Sequence, residues 1–487
     1  MDSGFLHHMG LKADPVFWST TLLYTLAFYN CFRIIGQNIS PQTALAWILI
    51  NAAFPPVGVP LYYLLGQNRL KSYVKRRRKS RKRRMETDQI SERFEVDQMP
   101  VVPYISEFEG FARLSESFTP SLATDVQLLI DGEMTFESIF QEIKSAKRYI
   151  FVQYYILRSD RLGLELKQLL IEKAKEGVAI FLLLDHIGSF FLTQSYLKDL
   201  SDSGVHIAKF LPLRLNLQIN FRNHRKLVVV DGRSAFLGGL NVGVEYLGKQ
   251  KAAYWRDTHV KVTGAVVERL EEVFLDDWYF AARKRTKRLP ALVLQRKVLG
   301  GSPSTSPTPV QVVSFGPNDE TQIGLLLFLQ IINIAKERLW IASPYFVPDS
   351  TLEQHLELAA VRGVDVRILI PSTSDHHFVH WVTMGYAKKL VQKGIKVFCY
   401  QKGFMHQKII LVDNELTVLG TSNFDNRSIY LNFETALLVY GKNFGDKITA
   451  MLVKDFASSR ELTMEATKTS WLVNFRSGLV SLLAPLM

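Results

Sequence analysis

Hydrophobic positions along the chain follow three patterns. Near the N-terminus they are almost continuous. Val16–Ile35 carries no charge before Arg33, and Thr43–Leu65 has Asn51 as its one strongly polar member. Each stretch has about the length of a hydrocarbon span, roughly 20 residues. Pro55, Pro56 and Pro60 predict a kink or break in the second. Further on, short apolar runs alternate with helical periodicity. Tyr149–Leu157 reads as a strand and Leu162–Lys175 as a helix, and Gly177-Val178 leads into a strand at Ala179–Leu184. The same order returns at Leu339–Val347, Leu352–Val361, Gly363-Val364 and Asp365–Ile370. Strands alternating with helices of this length predict an α/β fold, with a largely parallel sheet covered by helices on both faces. The third pattern is C-terminal. Trp471–Met487 alternates Trp, Leu, Val and Phe with few charges, and reads either as an interfacial helix or as a helix docked on the protein.

The repeat extends to chemistry. His224-Arg225-Lys226, four apolar residues and Asp231 form one signature; His406-Gln407-Lys408, four apolar residues and Asp413 form the second. Fourteen residues past each histidine stands a glycine, Gly238 and Gly420, and seventeen past stands an asparagine, Asn241 and Asn423. An acidic residue then opens an apolar strand, Asp257 in one copy and Glu434 in the other. These strands end at Gly264 and Gly441. One such signature carries little information, but two in matching frames predict two similar halves that share one site.

Residues i and i+2 of a strand face the same way, so each histidine presents together with its lysine. Leu227–Val230 and Ile409–Val412 read as strands buried on both faces, a rigid support for the histidines. A neutral imidazole can attack phosphorus while its partner protonates the leaving oxygen. Lys226 and Lys408 supply charge to the non-bridging oxygens, and Asn241 and Asn423 can add neutral donors. The pattern points to phosphoryl transfer through a phosphohistidine. His224 is the favoured nucleophile and His406 the favoured acid and base, although the symmetry of the motifs leaves the choice open. Asp231 and Asp413 complete the signature, yet their odd offset turns them to the opposite face, which suits structural support. Asp257 and Glu434 are the better candidates to hold the far nitrogen of each imidazole.

No metal is expected. Lysines beside the histidines would repel a dication, and no His-x3-His or cysteine pairs occur. His376, His377 and His380 form the nearest approach to a metal cluster and read as a substrate rim or solvated feature at a helix start. Phe190, Phe191, Phe378 and Trp381 are core residues or the lining of an acyl-chain entrance.

The paired signatures resemble those of the phospholipase D superfamily, and further stretches resemble its bacterial cardiolipin synthases. These are Arg222–Lys226, Gly238–Asn241 with Glu245-Tyr246, Ser343–Pro348, Asn423–Ser428 and, near the N-terminus, Ala46–Leu49, Pro56–Gly58 and Tyr62–Gly66. Val244 and Ser422 depart from the family pattern. The resemblance covers nearly the whole chain. It implies two phospholipase D-like α/β sandwich domains forming one pseudo-twofold site, with Ser428 beside the substrate phosphate. It also implies phosphatidyl transfer between two phosphatidylglycerol molecules, giving cardiolipin and glycerol without metal, nucleotide or other cofactor. A hydrolase, a phosphatidylserine synthase and a nuclease of the same superfamily would use the same four residues. A non-catalytic scaffold would predict decay of at least one signature.

Charge narrows this choice. The net charge is +13, and Lys71–Arg84 holds ten Lys or Arg in fourteen residues with no acid. About +3 is left for everything else, which argues against a nucleic-acid partner. Such a run directly after an apolar stretch attracts anionic headgroups, or else only anchors topology, and places its side in the cytoplasm. Two membrane spans are therefore preferred to two buried helices, and a second apolar stretch following at once argues against a cleaved leader. The expected organisation is two spans in 1–70 (about 16–35 and 43–65), a basic linker 71–108, domains at 109–298 and 311–465 joined by a Gly/Ser/Pro-rich linker 299–310, and a C-terminal amphipathic segment 466–487. The expected location is the bacterial inner membrane, multi-pass, with the catalytic halves in the cytoplasm. Cys31 and Cys399 imply no disulfide framework. Oligomeric state is not legible.

Overall fold

The apolar run after each signature becomes a buried strand, and tight turns fold the chain back beside it. The computed structural model describes residues 15–36, 41–66, 100, 102–113, 119–212, 220–248, 254–282, 307–317, 319, 321–373 and 377–467. The basic run Lys71–Arg84, His376 and the C-terminal Trp471–Met487 lie outside these residues, as does most of the Gly/Ser/Pro-rich linker. The chain divides into two compact units, Met1–Ser72 with Leu213–Asn220, and Tyr73–Pro212 with Phe221–Met487.

The larger unit holds both halves. The first contributes β1 (Ser121–Ile130), β2 (Tyr149–Tyr154), β3 (Ala179–Asp185), β4 (His206–Phe210), β5 (Arg222–Asn223), β6 (Leu227–Val230), β7 (Ser234–Gly238), β8 (Tyr254–Arg256) and β9 (Thr258–Gly264). The second contributes β10 (Thr308–Phe315), β11 (Arg338–Ala342), β12 (Phe346–Val347), β13 (Asp365–Pro371), β14 (Lys396–Tyr400), β15 (Gly403–Met405), β16 (Ile409–Val412), β17 (Leu416–Gly420), β18 (Phe424–Asp425), β19 (Asn432–Tyr440) and β20 (Ser459–Glu461). The strand order is β20-β14-β13-β11-β16-β17-β19-β10-β1-β9-β7-β6-β2-β3-β4, one continuous sheet across both halves. Apart from the added β20, it reads the same outward from the β1–β10 pair in either direction. Ser121 lies opposite Val310 there, antiparallel.

The sheet is mixed, which corrects the expectation of a largely parallel one. Along that strand order only β2–β3–β4 and β11–β13–β14 run parallel. Those strands are joined through helices Arg161–Lys175, Gln194–Asp202, Ser350–Val361 and His377–Gln392, as parallel neighbours require. The signature strands instead turn straight back. Asp231 and Gly232 have φ of 55° and 67°, and Asp413 and Asn414 of 49° and 64°. Arg233 N–H donates to Val230 O and Glu415 N–H to Val412 O, both at 3.0 Å. Two consecutive positive φ values inside such a bond make the primed turn that favours an antiparallel hairpin, and Asp and Asn tolerate them.

Period-two alternation splits each strand between two cores. Ile150, Val152 and Tyr154 join the core beneath helices 131–145 and 161–175. Phe151 faces the other way and stacks on Phe274 at 4.5 Å, beside Trp278 on helix Val266–Ala282. The second half repeats this around Leu339, Ile341, Ile368 and Ile370. Phe108, in the short helical turn Ser106–Arg113, is buried in that second core although it precedes the first half in sequence.

The smaller unit holds helices Pro15–Ile35, Pro41–Ala53 and Pro55–Leu61, with a wider turn at Tyr62–Gly66. Among the described residues no helix is long and apolar enough to cross a membrane. The first stretch is long enough but is diluted by Ser19, Thr20, Thr21, Thr25 and Asn30. The second breaks at Phe54, before the expected prolines. Asn30 and Asn51 are both buried and bond each other at 3.3 Å.

Candidate functional site

Each signature histidine follows a short strand paired with the other half. β5 runs parallel to the start of β19, with Phe433 opposite Asn223. β15 runs parallel to β8, with Arg256 opposite Met405. The next residue is the histidine. His224 N–H donates to Phe433 O at 3.0 Å, and His406 N–H to Arg256 O at 2.7 Å. Both backbones are thus pinned across the boundary between halves by equivalent bonds.

The side chains cross the same boundary. His224 Nδ1 lies 3.0 and 3.2 Å from the two carboxylate oxygens of Glu434. His406 Nδ1 lies 2.7 Å from Asp257 Oδ2. Each imidazole is held by the acid of the opposite half, so neither half contains a complete histidine–carboxylate pair. Burial alone would raise the Glu434 carboxyl, but His224, Lys226 and the Thr421 hydroxyl hold it below its ordinary value. An ionised carboxylate only accepts, so His224 Nδ1 carries the proton and Nε2 keeps its lone pair. Burial pushes the pKa of His224 down to about 4, against the pull of Glu434. The ring is therefore neutral at neutral pH. Burial raises the Asp257 carboxyl, with Lys408 opposing.

The lysines fold back on their own histidines. Lys226 Nζ donates to His224 O at 2.6 Å, and Lys408 Nζ to His406 O at 2.7 Å. Burial pushes the Lys226 ammonium well below its ordinary range; Glu434 opposes this, while the like charge of Lys408 adds to it. The two lysines and both acids thus act on one place, and an anionic oxygen there would relieve the repulsion. Tyr155 meets the His224 ring edge-on at 5.0 Å, and Trp255 and Phe404 flank His406 at 5.1 and 5.7 Å.

The remaining sequence-selected residues lie elsewhere or are already engaged. Asp231 accepts from the N–H groups of Lys147, Arg148 and Tyr149 at 2.8–2.9 Å. Asp413 accepts from those of Lys336, Glu337 and Arg338 at 2.7–2.8 Å. They fasten the start of β2 and β11 at the far end of the signature strands, seven residues or about 20 Å from the histidines. This takes them out of the reacting set. Asn241 Nδ2 donates to the Tyr246 hydroxyl and its Oδ1 accepts from Ile156 N–H, which leaves one of its two N–H groups uncommitted by these bonds. Asn423 Nδ2 lies 3.3 Å from Asp425 Oδ2, and Ser428 Oγ accepts from Asn423 N–H at 3.1 Å. Both shape the loop beside the site. Gly238 and Gly420 are explained by close approach, since a Cβ would stand 2.5 Å from Thr258 O in one half and 2.2 Å from Thr435 O in the other.

Thr421, Asn432 and Tyr155 were not singled out from sequence. Asn432 donates to Glu434 at 3.1 Å from two residues earlier on β19, a period-two relation that the sequence did contain. Among the described residues no group of three or more His, Cys, Asp or Glu is placed to hold a metal ion. Phe190, Phe191 and Trp381 are exposed rather than core; the Phe378 side chain lies outside the description.

Comparison with known proteins agrees with this geometry. The family described as "Cardiolipin synthase, PLD-like domain" matches residues 139–278 and 328–458, and that described as "Phospholipase_D-nuclease N-terminal" matches 22–67. Cardiolipin synthase A of Pseudomonas syringae is 41% identical over 97% of this chain and 99% of its own length. Cardiolipin synthase A of Pseudomonas aeruginosa is 42% identical over 91% and 90%. The crystal structure of phosphatidylserine synthase from Haemophilus influenzae shares the fold, with a TM-score of 0.60 at 16% identity over 78% of this chain and 100% of that one.

Proposed function

The chain belongs to the cardiolipin synthase family of phospholipase D-like proteins, and from that premise we propose how its two half-sites divide the work of phosphatidyl transfer. It is a phosphatidyltransferase of the cardiolipin synthase type. The donor and the acceptor are both phosphatidylglycerol. His224 Nε2 attacks the donor phosphorus, the bond from phosphorus to the glycerol oxygen breaks, and His406 protonates that oxygen. His406 then takes the proton from the glycerol hydroxyl of the second lipid, whose oxygen attacks phosphorus and releases His224. Lys226 and Lys408 neutralise the non-bridging oxygens in both steps. One phosphodiester is exchanged for another, so the reaction is reversible. The crossed histidine–carboxylate pairs carry this reading, and burial that keeps His224 unprotonated leaves its Nε2 lone pair available for attack. Thr421 and Asn432 keep Glu434 in place, and Ser428 and Asn423 shape the phosphate's surroundings.

The chain works at a membrane surface. Its N-terminal helices expose Phe17, Trp18, Leu22, Phe28 and Phe32, more apolar surface than a water-facing helix carries. The two N-terminal stretches are read as embedded in the bacterial inner membrane, with the catalytic halves on its cytoplasmic side, where the lipid acceptor is concentrated. Anionic lipids are drawn by Lys71–Arg84.

Purified protein supplied with phosphatidylglycerol as sole lipid is expected to give cardiolipin and glycerol in equal amounts. Phosphatidic acid as the main product would make it a hydrolase, and no product would point to another donor. The pH profile gives a second check. A nucleophile must be unprotonated, so its activity is lost as pH falls through its pKa. With His224 at about 4, the acid limb of kcat/KM belongs near pH 4. A limb near 6.5, the ordinary histidine value, would remove His224 as the buried neutral nucleophile.

A further inference from the structure

The two signatures differ at their middle residue, Arg225 in one and Gln407 in the other. A second difference answers the first. The residue before each crossed acid is Arg256 in one half-site and Phe433 in the other. These four positions are related by the same pseudo-twofold. Phe433 pairs with Asn223 just before His224, and Arg256 pairs with Met405 just before His406. Each half-site thus has one guanidinium, placed on opposite members of the same strand pair.

Both guanidinium groups do the same work. Arg225 Nε donates to Thr435 Oγ1 at 2.9 Å and to Glu434 O at 3.2 Å. Its NH2 donates to Ser314 Oγ at 2.6 Å at the end of β10, and its NH1 donates to Asp277 on helix Val266–Ala282. Arg256 donates through Nε and NH2 to the two oxygens of Asp455 on helix Lys442–Ala457, both at 2.9 Å. Its NH1 donates at 3.1 Å to Asp131, just past the end of β1, and that carboxylate also accepts from Asp257 N–H. Gln407 Nε2 donates to Met451 Sδ at 3.6 Å on helix Lys442–Ala457, and Phe433 lies beside the Arg225 guanidinium. In both cases a buried fork ties the acid-bearing strand to a central strand end and to the helix that follows each β9-type strand. Both forks bridge the two halves.

We propose that each histidine–carboxylate pair is held in register by one guanidinium clamp, Arg225–Asp277 for His224–Glu434 and Arg256–Asp455 for His406–Asp257, with the arginine exchanged between equivalent positions. These are positioning residues, since neither reaches the reacting nitrogens. The proposal rests on the crossed pairs being the reacting groups. Misplacing such a pair by about 1 Å costs on the order of a hundredfold in rate.

The exchange is testable because one half-site can be rebuilt in the arrangement of the other. Arg225→Gln is expected to lower kcat by about thirty- to a hundredfold with little change in KM. Adding Phe433→Arg to Arg225→Gln should restore kcat to within about threefold of wild type. A folded double variant as slow as Arg225→Gln would overturn the clamp. Arg225→Lys guards against a variant that fails to fold, because it keeps the charge opposite Asp277 but not the fork. It should retain the thermal transition and still lose about tenfold in kcat; full activity would overturn the proposal. His224→Ala measured alongside separates the two claims. Turnover by His224→Ala would remove the reacting-pair reading itself, while an inert His224→Ala beside an unrescued double variant would remove only the clamp.

Discussion

Asp257→Asn is expected to lower kcat by about a thousand- to ten-thousandfold, whereas Asp231→Asn should cost no more than about threefold in the folded protein. The contrast matters because Asp231 belongs to the repeated signature and Asp257 does not. Asp257 is fully buried and lies 2.7 Å from His406 Nδ1. Its amide replacement keeps the shape but can offer Nδ2 to the ring, which fixes the wrong tautomer and removes the charge that stabilises the imidazolium. Asp231 instead accepts three backbone N–H groups at the start of β2. Its loss should appear in stability, as about 2 kcal/mol of charge-assisted bonding. Turnover measured on both variants, with thermal transitions recorded alongside, checks this. Equal losses of turnover, or a larger one for Asp231→Asn, would mean that the crossed carboxylate does not serve the reacting histidine.

What was legible in the sequence was whatever depends on local periodicity. The strand–helix alternation, the matching glycines and the shared frame of His224 and His406 all follow from spacing alone. The odd offset of Asp231 and Asp413 also turned them away from the histidines, as the hairpin turns require. The antiparallel return of the signature strands was legible in loop length: three residues separate Val230 from its partner Ser234 and Val412 from Leu416, too few for the crossover that a parallel pair needs. The positive φ values at Asp231–Gly232 and Asp413–Asn414 that close these turns were not. The exchange of acids between halves was hidden for a different reason. It depends on β5, β8 and β15, strands of two or three residues with no pattern of their own. The spacing that Asn241 shares with Asn423 did not show that its amide also bonds Ile156 N–H and the Tyr246 hydroxyl.

The crossed arrangement also predicts that the two histidines fail in different ways. A lipid phosphodiester carrying a p-nitrophenol leaving group needs no proton donor, because that phenolate leaves unaided. With this substrate His406→Ala should release about one equivalent of p-nitrophenol in a burst and then stall, since the phosphatidyl group is on His224 and no base activates the acceptor. His224→Ala should show no burst. With phosphatidylglycerol, whose glycerol oxygen must be protonated as it leaves, both variants should lose at least about ten-thousandfold in turnover. The asymmetry follows from the surroundings of each ring. His224 is neutral, its Nδ1 proton is fixed on an ionised Glu434, and its side chain is the more open, 12% exposed against 6% for His406. His406 sits against Asp257, whose carboxyl burial raises, and under Lys408. Rapid-mixing absorbance at the phenolate band and mass spectrometry of the trapped protein read the result. A burst from His224→Ala with label on His406 would exchange the two roles and leave the fold, the crossed acids and the reaction class as they stand.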